Sequence, residues 1–141
     1  MGRLAAKLGV APLLAAHPRD LSAGELQRAA LALVLLGKPR LLLLDEATRN
    51  LDPPGKQALA ELLHELAAEG TTVLVSTHDL DFCAEHAHTV ALLFDGAVAA
   101  QAPTRAFFSG LGFYTTAAAL VSRPMLADAV TVGEVVGLCR A

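Results

Sequence analysis

The spacing of apolar positions along this chain changes several times, and each change predicts an element. Residues 1–20 are rich in leucine and alanine, with Pro12 and Pro18 as breaks, and Leu4–Leu8 read as one or two helical turns. Leu21 opens the strongest helical stretch, which runs to about Leu36. Ser22 and Glu25 have the S-x-x-E spacing of a capping box, and Leu21 and Leu26 are placed as a hydrophobic staple. Gly37 stops that helix and Pro39 reinforces the stop. Leu41–Leu44 then run without a polar break and end at two adjacent carboxylates, Asp45 and Glu46. A short unbroken apolar run suits a strand buried on both faces of a parallel sheet.

Pro53 and Pro54 begin a second helix over Gly55–Glu69, in which Leu59, Leu62, Leu63 and Leu66 form an i, i+3, i+4, i+7 stripe and Gly70 closes the element. Thr71–Ser76 is a β-branched strand that ends in Thr77-His78-Asp79. Strand, helix, strand is a βαβ order, with parallel strands and a right-handed crossover expected. Asp81–His86 reads as a short helix and Thr89–Phe94 as a third strand. Asp95-Gly96 is a hairpin turn signal, with the chain returning over Ala97–Gln101. Pro103 starts a short helix through Phe108, and Gly110 and Gly112 mark a boundary. Thr131 and Glu134 form a second capping-box pair, opening a last short helix.

A parallel arrangement places Asp45, Glu46 and His78 at one edge of the sheet, where ligands of open parallel sheets bind. Each residue alone has a plain structural reading: the acids as the start of a solvated turn, the histidine as a satisfied structural group. The free N–H groups at the start of the Ser22 helix suit an anion, although capping alone accounts for Ser22 and Glu25. His17 and His64 read as solvated, and His86 and His88 have no evident ligand partners.

Composition narrows the classes. With 54% apolar residues in 141, a membrane span has to be considered. The apolar runs are too short: Ala29–Leu36 ends at Gly37-Lys38-Pro39, against the roughly 20 residues a span needs. A soluble protein is expected, with a well-buried sheet or a surface that docks a partner. Net charge is −3 without a basic block, so nucleic acid has no electrostatic footing as a partner. Cys83 and Cys139 are far apart and lack metal spacing, as reduced thiols of a cytosolic protein would be. No signal peptide is seen.

Four motifs, in order and spacing, resemble the ATP-binding subunits of ABC transporters. LSAGELQR (Leu21–Arg28) resembles the family signature LSGGE-x-Q-R, and LLLLDE (Leu41–Glu46) the Walker B strand. Asn50-Leu51-Asp52 resembles the D-loop, and His78 the switch histidine. The FFSG end (Phe107–Gly110) and the FYTT tail (Phe113–Thr116) resemble energy-coupling-factor ATPases of vitamin and cobalt or nickel importers. The fold so implied is α/β, a partial P-loop NTPase-like parallel sheet flanked by helices. Residues 1–109 would be the C-terminal part of an ABC ATPase domain and 110–141 a C-terminal extension for docking or dimerisation.

Three departures matter. Ala23 replaces the first signature glycine, and Ala47 replaces the proline that usually follows the Walker B glutamate and would restrict φ. No G-x-x-x-x-G-K-[ST] loop occurs, since Gly37-Lys38 is followed by Pro39 and Gly55-Lys56 by Gln57. The isolated chain is therefore expected to be inactive, although the family is an ATPase. The resemblance implies ATP and Mg²⁺ as ligands. Asp45 would hold Mg²⁺, through water, Glu46 would act as general base, and His78 would contact the γ-phosphate. Ser22, Ala23, Gly24 and Glu25 would grip ATP held by the other protomer, and Asp52 would link the two sites.

Implied partners are a second ATPase subunit, identical or not, and an integral membrane transport subunit at the inner face of the cell membrane. The function so implied is that of a partial ATP-binding and hydrolysing subunit that powers solute import, and two other readings stand beside it. One is a non-catalytic fragment or split-gene product offering only the signature half-site or a dimer surface. The other is a non-transport ABC ATPase, whose chromosome-maintenance class would carry a long coiled coil that this sequence lacks.

Overall fold

A computed structural model describes residues 2–110, 115–122 and 129–140. The chain divides into two compact units, Met1–His78 and Asp79–Ala141. Gly112 and the Phe113-Tyr114 half of the FYTT tail lie outside the described residues.

The first unit runs α1 (Gly2–Lys7), two 3₁₀ turns (Ala11–Leu13, Pro18–Asp20), α2 (Ala23–Leu36), β1 (Leu41–Asp45), α3 (Pro53–Ala68) and β2 (Thr72–Ser76). The capping box forms as expected: the Glu25 amide donates to Ser22 Oγ at 3.3 Å, and the Ser22 amide to Glu25 Oε2 at 2.8 Å. The helix stops where expected, at Leu36 with Gly37 as its C-cap. Gly37 keeps a right-handed φ of −74, and the left-handed residue is Lys38, at φ 47. Asp52 caps α3 by accepting the Gly55 amide at 3.0 Å, and Pro53 and Pro54 occupy the first helical turn, where no N–H is needed.

β1 and β2 pair in parallel, with Leu42 opposite Val73 and Asp45 opposite Ser76. Burial corrects one expectation, because the leucine run is not covered on both faces. Leu42 is 2% exposed, whereas Leu41 and Leu43 are 54% and 63% exposed, as is Leu74 at 63%. Period-two alternation sends odd and even residues to opposite faces, and only the even face of β1 is packed. Leu31 and Leu35 from α2 and Leu59, Ala60, Leu62 and Leu63 from α3 are buried in this unit.

The second unit contains α4 (Leu80–His86), β3 (Thr89–Phe94), β4 (Ala97–Pro103), α5 (Thr104–Gly110), α6 (Ala117–Ser122) and α7 (Val132–Cys139). β3 and β4 form their own antiparallel pair, with a register shift at Leu92/Leu93. Asp95 and Gly96 both take positive φ, 50 and 74, the geometry that suits the right-handed twist of a two-residue hairpin. Phe107, Phe108, Ala119 and Val130 make the core of this unit, so residues beyond Gly110 contribute to it. Thr131 and Glu134 complete the second capping box. Among the described residues, no helix is long and apolar enough to cross a membrane.

Candidate functional site

The parallel register brings the sequence-predicted acids and histidine together. β1 ends at Asp45 and β2 at Ser76, so Glu46, Thr77 and His78 leave the same sheet edge. The Asp45 carboxylate accepts a hydrogen bond from Ser76 Oγ. Glu46 Oε1 lies 3.5 Å from His78 Nε2, and the His78 side chain is almost fully exposed. Asp45 is exposed and Glu46 half-buried. The strand stops between them, so the two carboxylates are set by different backbone conformations.

Glu46 has φ 49, a left-handed conformation that costs a non-glycine residue of order 1–3 kcal/mol and persists only where its surroundings enforce it. The enforcing bonds are visible. The Glu46 amide donates to the Ser76 carbonyl at 2.9 Å, and the Arg49 amide to the Glu46 carbonyl at 3.1 Å. The Thr48 and Thr77 hydroxyls share a hydrogen bond of 2.8 Å, with Thr48 only 2% exposed. Gln27 Nε2 donates to the Ala47 carbonyl at 2.5 Å. A buried polar threonine without a partner would be costly, so this loop is held at a defined position against β2.

The signature-like segment sits at the N-terminus of α2. Besides the capping bonds, Ser22 Oγ donates to Glu25 Oε2 at 2.7 Å. That bond first, then the one from the Ser22 amide, holds the Glu25 carboxyl below the usual carboxylate range. A Cβ on Gly24 would sit 3.2 Å from the Asn50 carbonyl oxygen, so the bare glycine lets α2 approach the Asn50-Leu51-Asp52 loop closely. Asp52, a candidate nucleotide-linking residue, has its Oδ1 committed to capping α3. Gln27 lies in the signature-like segment and is not one of the expected site residues. It shares a helix face with Leu31 and Leu35, both buried, and a polar residue in a buried i, i+4, i+8 stripe signals a specific partner.

Among the described residues, no three His, Cys, Asp or Glu groups cluster as a metal cage. Mg²⁺ is commonly held by one or two carboxylates with water and substrate phosphates. The exposed Asp45 carboxylate fits that pattern and a closed protein site does not.

Residues 1–49 match the family model described as ABC transporter. A Bacillus anthracis protein named as an ABC transporter ATP-binding protein is 45% identical over 124 residues, 88% of this chain and 22% of its own length. The octopine permease ATP-binding protein P of Rhizobium radiobacter is 36% identical over 103 residues, 73% of this chain and 39% of its own. The chain thus spans between a fifth and two fifths of the length of these curated relatives. The solved structure of an ATP-binding subunit of an ABC transporter superposes with a TM-score of 0.68 at 22% identity, over 99% of this chain and 52% of that one. A bacterial ABC transporter cassette solved as a dimer gives 0.66 at 30% identity, over 73% of this chain and 45% of that one. The α/β architecture is that of ABC ATPase cassettes.

Proposed function

We propose that the chain is part of an ABC transporter ATP-binding protein, as its match to that family model and its 45% identity to a Bacillus anthracis relative support, and that it supplies the signature and Walker B side of an ATP-hydrolysing unit. The observation that carries this reading is the convergence of Asp45, Glu46 and His78 on one sheet edge, with Glu46 held in a left-handed turn. Glu46 takes the role of general base, its carboxylate polarising the attacking water, a contribution of about 10²–10⁴-fold. His78 contacts the γ-phosphate, and Asp45 would hold Mg²⁺. Bound Mg²⁺ supplies neutralisation of phosphate charge.

Ser22, the Ala23 and Gly24 amides and Glu25 receive the γ-phosphate of ATP held on the opposite protomer. Ser22 Oγ must then exchange its bond to Glu25 for one to phosphate. Asp52 links the two sites across the dimer. The partners are a second ATPase subunit and a membrane permease subunit, with the protein on the inner face of the cell membrane. Solute import is the direction favoured by the octopine permease relative. The energy-coupling-factor subtype rests on the FFSG end at Phe107–Gly110. The extension over 110–141 serves docking or dimer formation.

A second reading has its own observation. The 141 residues contain no G-x-x-x-x-G-K-[ST] loop, so the chain can contribute a signature half-site without hydrolysing ATP itself. Mixing the chain with a P-loop-bearing polypeptide of this family separates the two. Mg-dependent hydrolysis that requires the chain and its Glu46 supports catalysis. Hydrolysis that needs Ser22 but is indifferent to Glu46 supports the half-site reading.

A further inference from the structure

We propose that Gln27 is a positioning residue that holds the Glu46 turn and ties helix α2 to it. Its side-chain amide donates to the Ala47 carbonyl at 2.5 Å, one residue beyond Glu46 and 20 positions along the chain. Ala47 is 5% exposed, so that carbonyl belongs to a packed segment in which an unpaired acceptor is unfavourable. Alanine at this place leaves φ free, where a proline would restrict it. The side-chain bond from α2 therefore supplies restraint that residue 47 does not supply itself.

The arrangement has a mechanical consequence. Ser22 and Gln27 lie on the same helix, Ser22 as its cap and Gln27 just beyond the first turn. A shift of α2 when its N-terminus takes up an anion moves the Gln27 amide, and with it the Ala47 carbonyl and the Glu46 backbone. Gly24 and Asn50 make a second close approach between α2 and the same loop, so the two segments are in register at two points. Gln27 thus couples occupancy of the signature end to the placement of the Glu46 carboxylate. The functional meaning rests on the reading of Glu46 as the base. The contact itself does not.

Amide hydrogen exchange by NMR on the 141-residue chain tests the proposal without nucleotide. Gln27→Met keeps the volume and removes the donor. The Glu46 and Arg49 amides, which bond Ser76 and Glu46 carbonyls, should exchange about two- to tenfold faster, the loss expected from one hydrogen bond. Amides of the β1–β2 ladder should keep their protection. Gln27→Glu places a carboxylate against a carbonyl at neutral pH, and exchange should again quicken. As pH falls through the carboxyl range the introduced group becomes an O–H donor, and protection relative to the parent should return. A residue that merely fills space gives parent-like exchange in Gln27→Met and no recovery at low pH, and either result overturns the proposal. Should both variants unfold, the parent chain still decides. One Gln27 carboxamide proton must exchange more slowly than a free glutamine side chain, and equal rates overturn the proposal. Failure here leaves the role of Glu46 to be judged by its own hydrolysis experiment, and failure there leaves the contact standing.

Discussion

Replacing Asp52 and Gly55 singly and together should reveal a coupling of about 1 kcal/mol between a helix cap and the residue it caps. Asp52 Oδ1 accepts the Gly55 amide at 3.0 Å, and a Cβ built on Gly55 would sit 2.7 Å from that same oxygen. Asp52→Ala removes the cap and should cost about 1 kcal/mol, within a range of about 0.5–2. Gly55→Ala contributes helix propensity of up to about 1 kcal/mol, but it displaces the carboxylate and forfeits the cap. Its net effect should lie near zero. Leu51 offers no further obstacle, at 3.4 Å from the new Cβ. With Asp52 already replaced there is nothing left to displace, and the propensity gain stands alone. The double variant should therefore match the parent, about 1 kcal/mol more stable than the two single effects added. Urea titrations of the four proteins, followed by helical circular dichroism and compared at equal slope, give the cycle. Additivity within about 0.3 kcal/mol would refute the capping geometry. The cycle also serves the functional question. On the proposed reading, loss of activity in Asp52→Ala would mix lost α3 stability with a lost cross-dimer contact, and the double variant restores the stability without restoring the Asp52 side chain.

Three further outcomes follow from particular groups. Glu25 and Glu134 both titrate below the usual carboxylate range. Glu25 is held there by the Ser22 hydroxyl and amide, and Glu134 by the Val130 amide first, then, against some desolvation, by the Thr131 amide and Arg105. A depressed folded pKa gives stability that is present above the unfolded value, about 4.3, and lost as pH falls through the folded value. The urea midpoint should decline from pH 5 to pH 3, and a midpoint that holds or rises contradicts this. Burial first, with the Asp79 charge second, pushes the half-buried Cys83 thiol up, while Cys139 is exposed. A disulfide reagent near pH 8 should label Cys139 well before Cys83, and equal rates would count against the placement of α4 and α7. The chain alone should show no saturable, Mg-dependent heat of ATP binding in calorimetry, since no phosphate-cradling loop occurs in its sequence. Tight binding would sink that expectation.

Local chemistry made much of this fold readable in advance. Both capping boxes, the Pro53-Pro54 helix start, the Asp95-Gly96 hairpin and the parallel pairing of two strands rest on contacts within a few residues or on a period-two or 3.6 pattern. What stayed hidden depends on what lies opposite. A run of leucines cannot say whether one or both of its faces will be covered, and here Leu41 and Leu43 remain exposed. Two left-handed residues outside a turn motif gave no such signal: Lys38 turns the chain after α2, and Glu46 turns it after β1. The grouping of the acid pair with His78 followed from topology alone, whereas the contact from Gln27 to Ala47 joins segments 20 residues apart and had only its place in a buried stripe to announce it.

Glu46 is the residue on which the proposed hydrolysis depends most directly. The measurement is Mg-ATP hydrolysis by this chain combined with a P-loop-bearing polypeptide, comparing the parent with Glu46→Gln. The substitution keeps the shape, removes the basic oxygen, and leaves Asp45 and the capped end of α2 untouched. ATP binding should survive while hydrolysis falls by about two orders of magnitude or more, as expected for loss of a general base, and the ATP-bound dimer should accumulate. Asp45→Asn should instead weaken Mg²⁺ binding without trapping that dimer. Hydrolysis at the parent rate in Glu46→Gln would show that Glu46 is not the base.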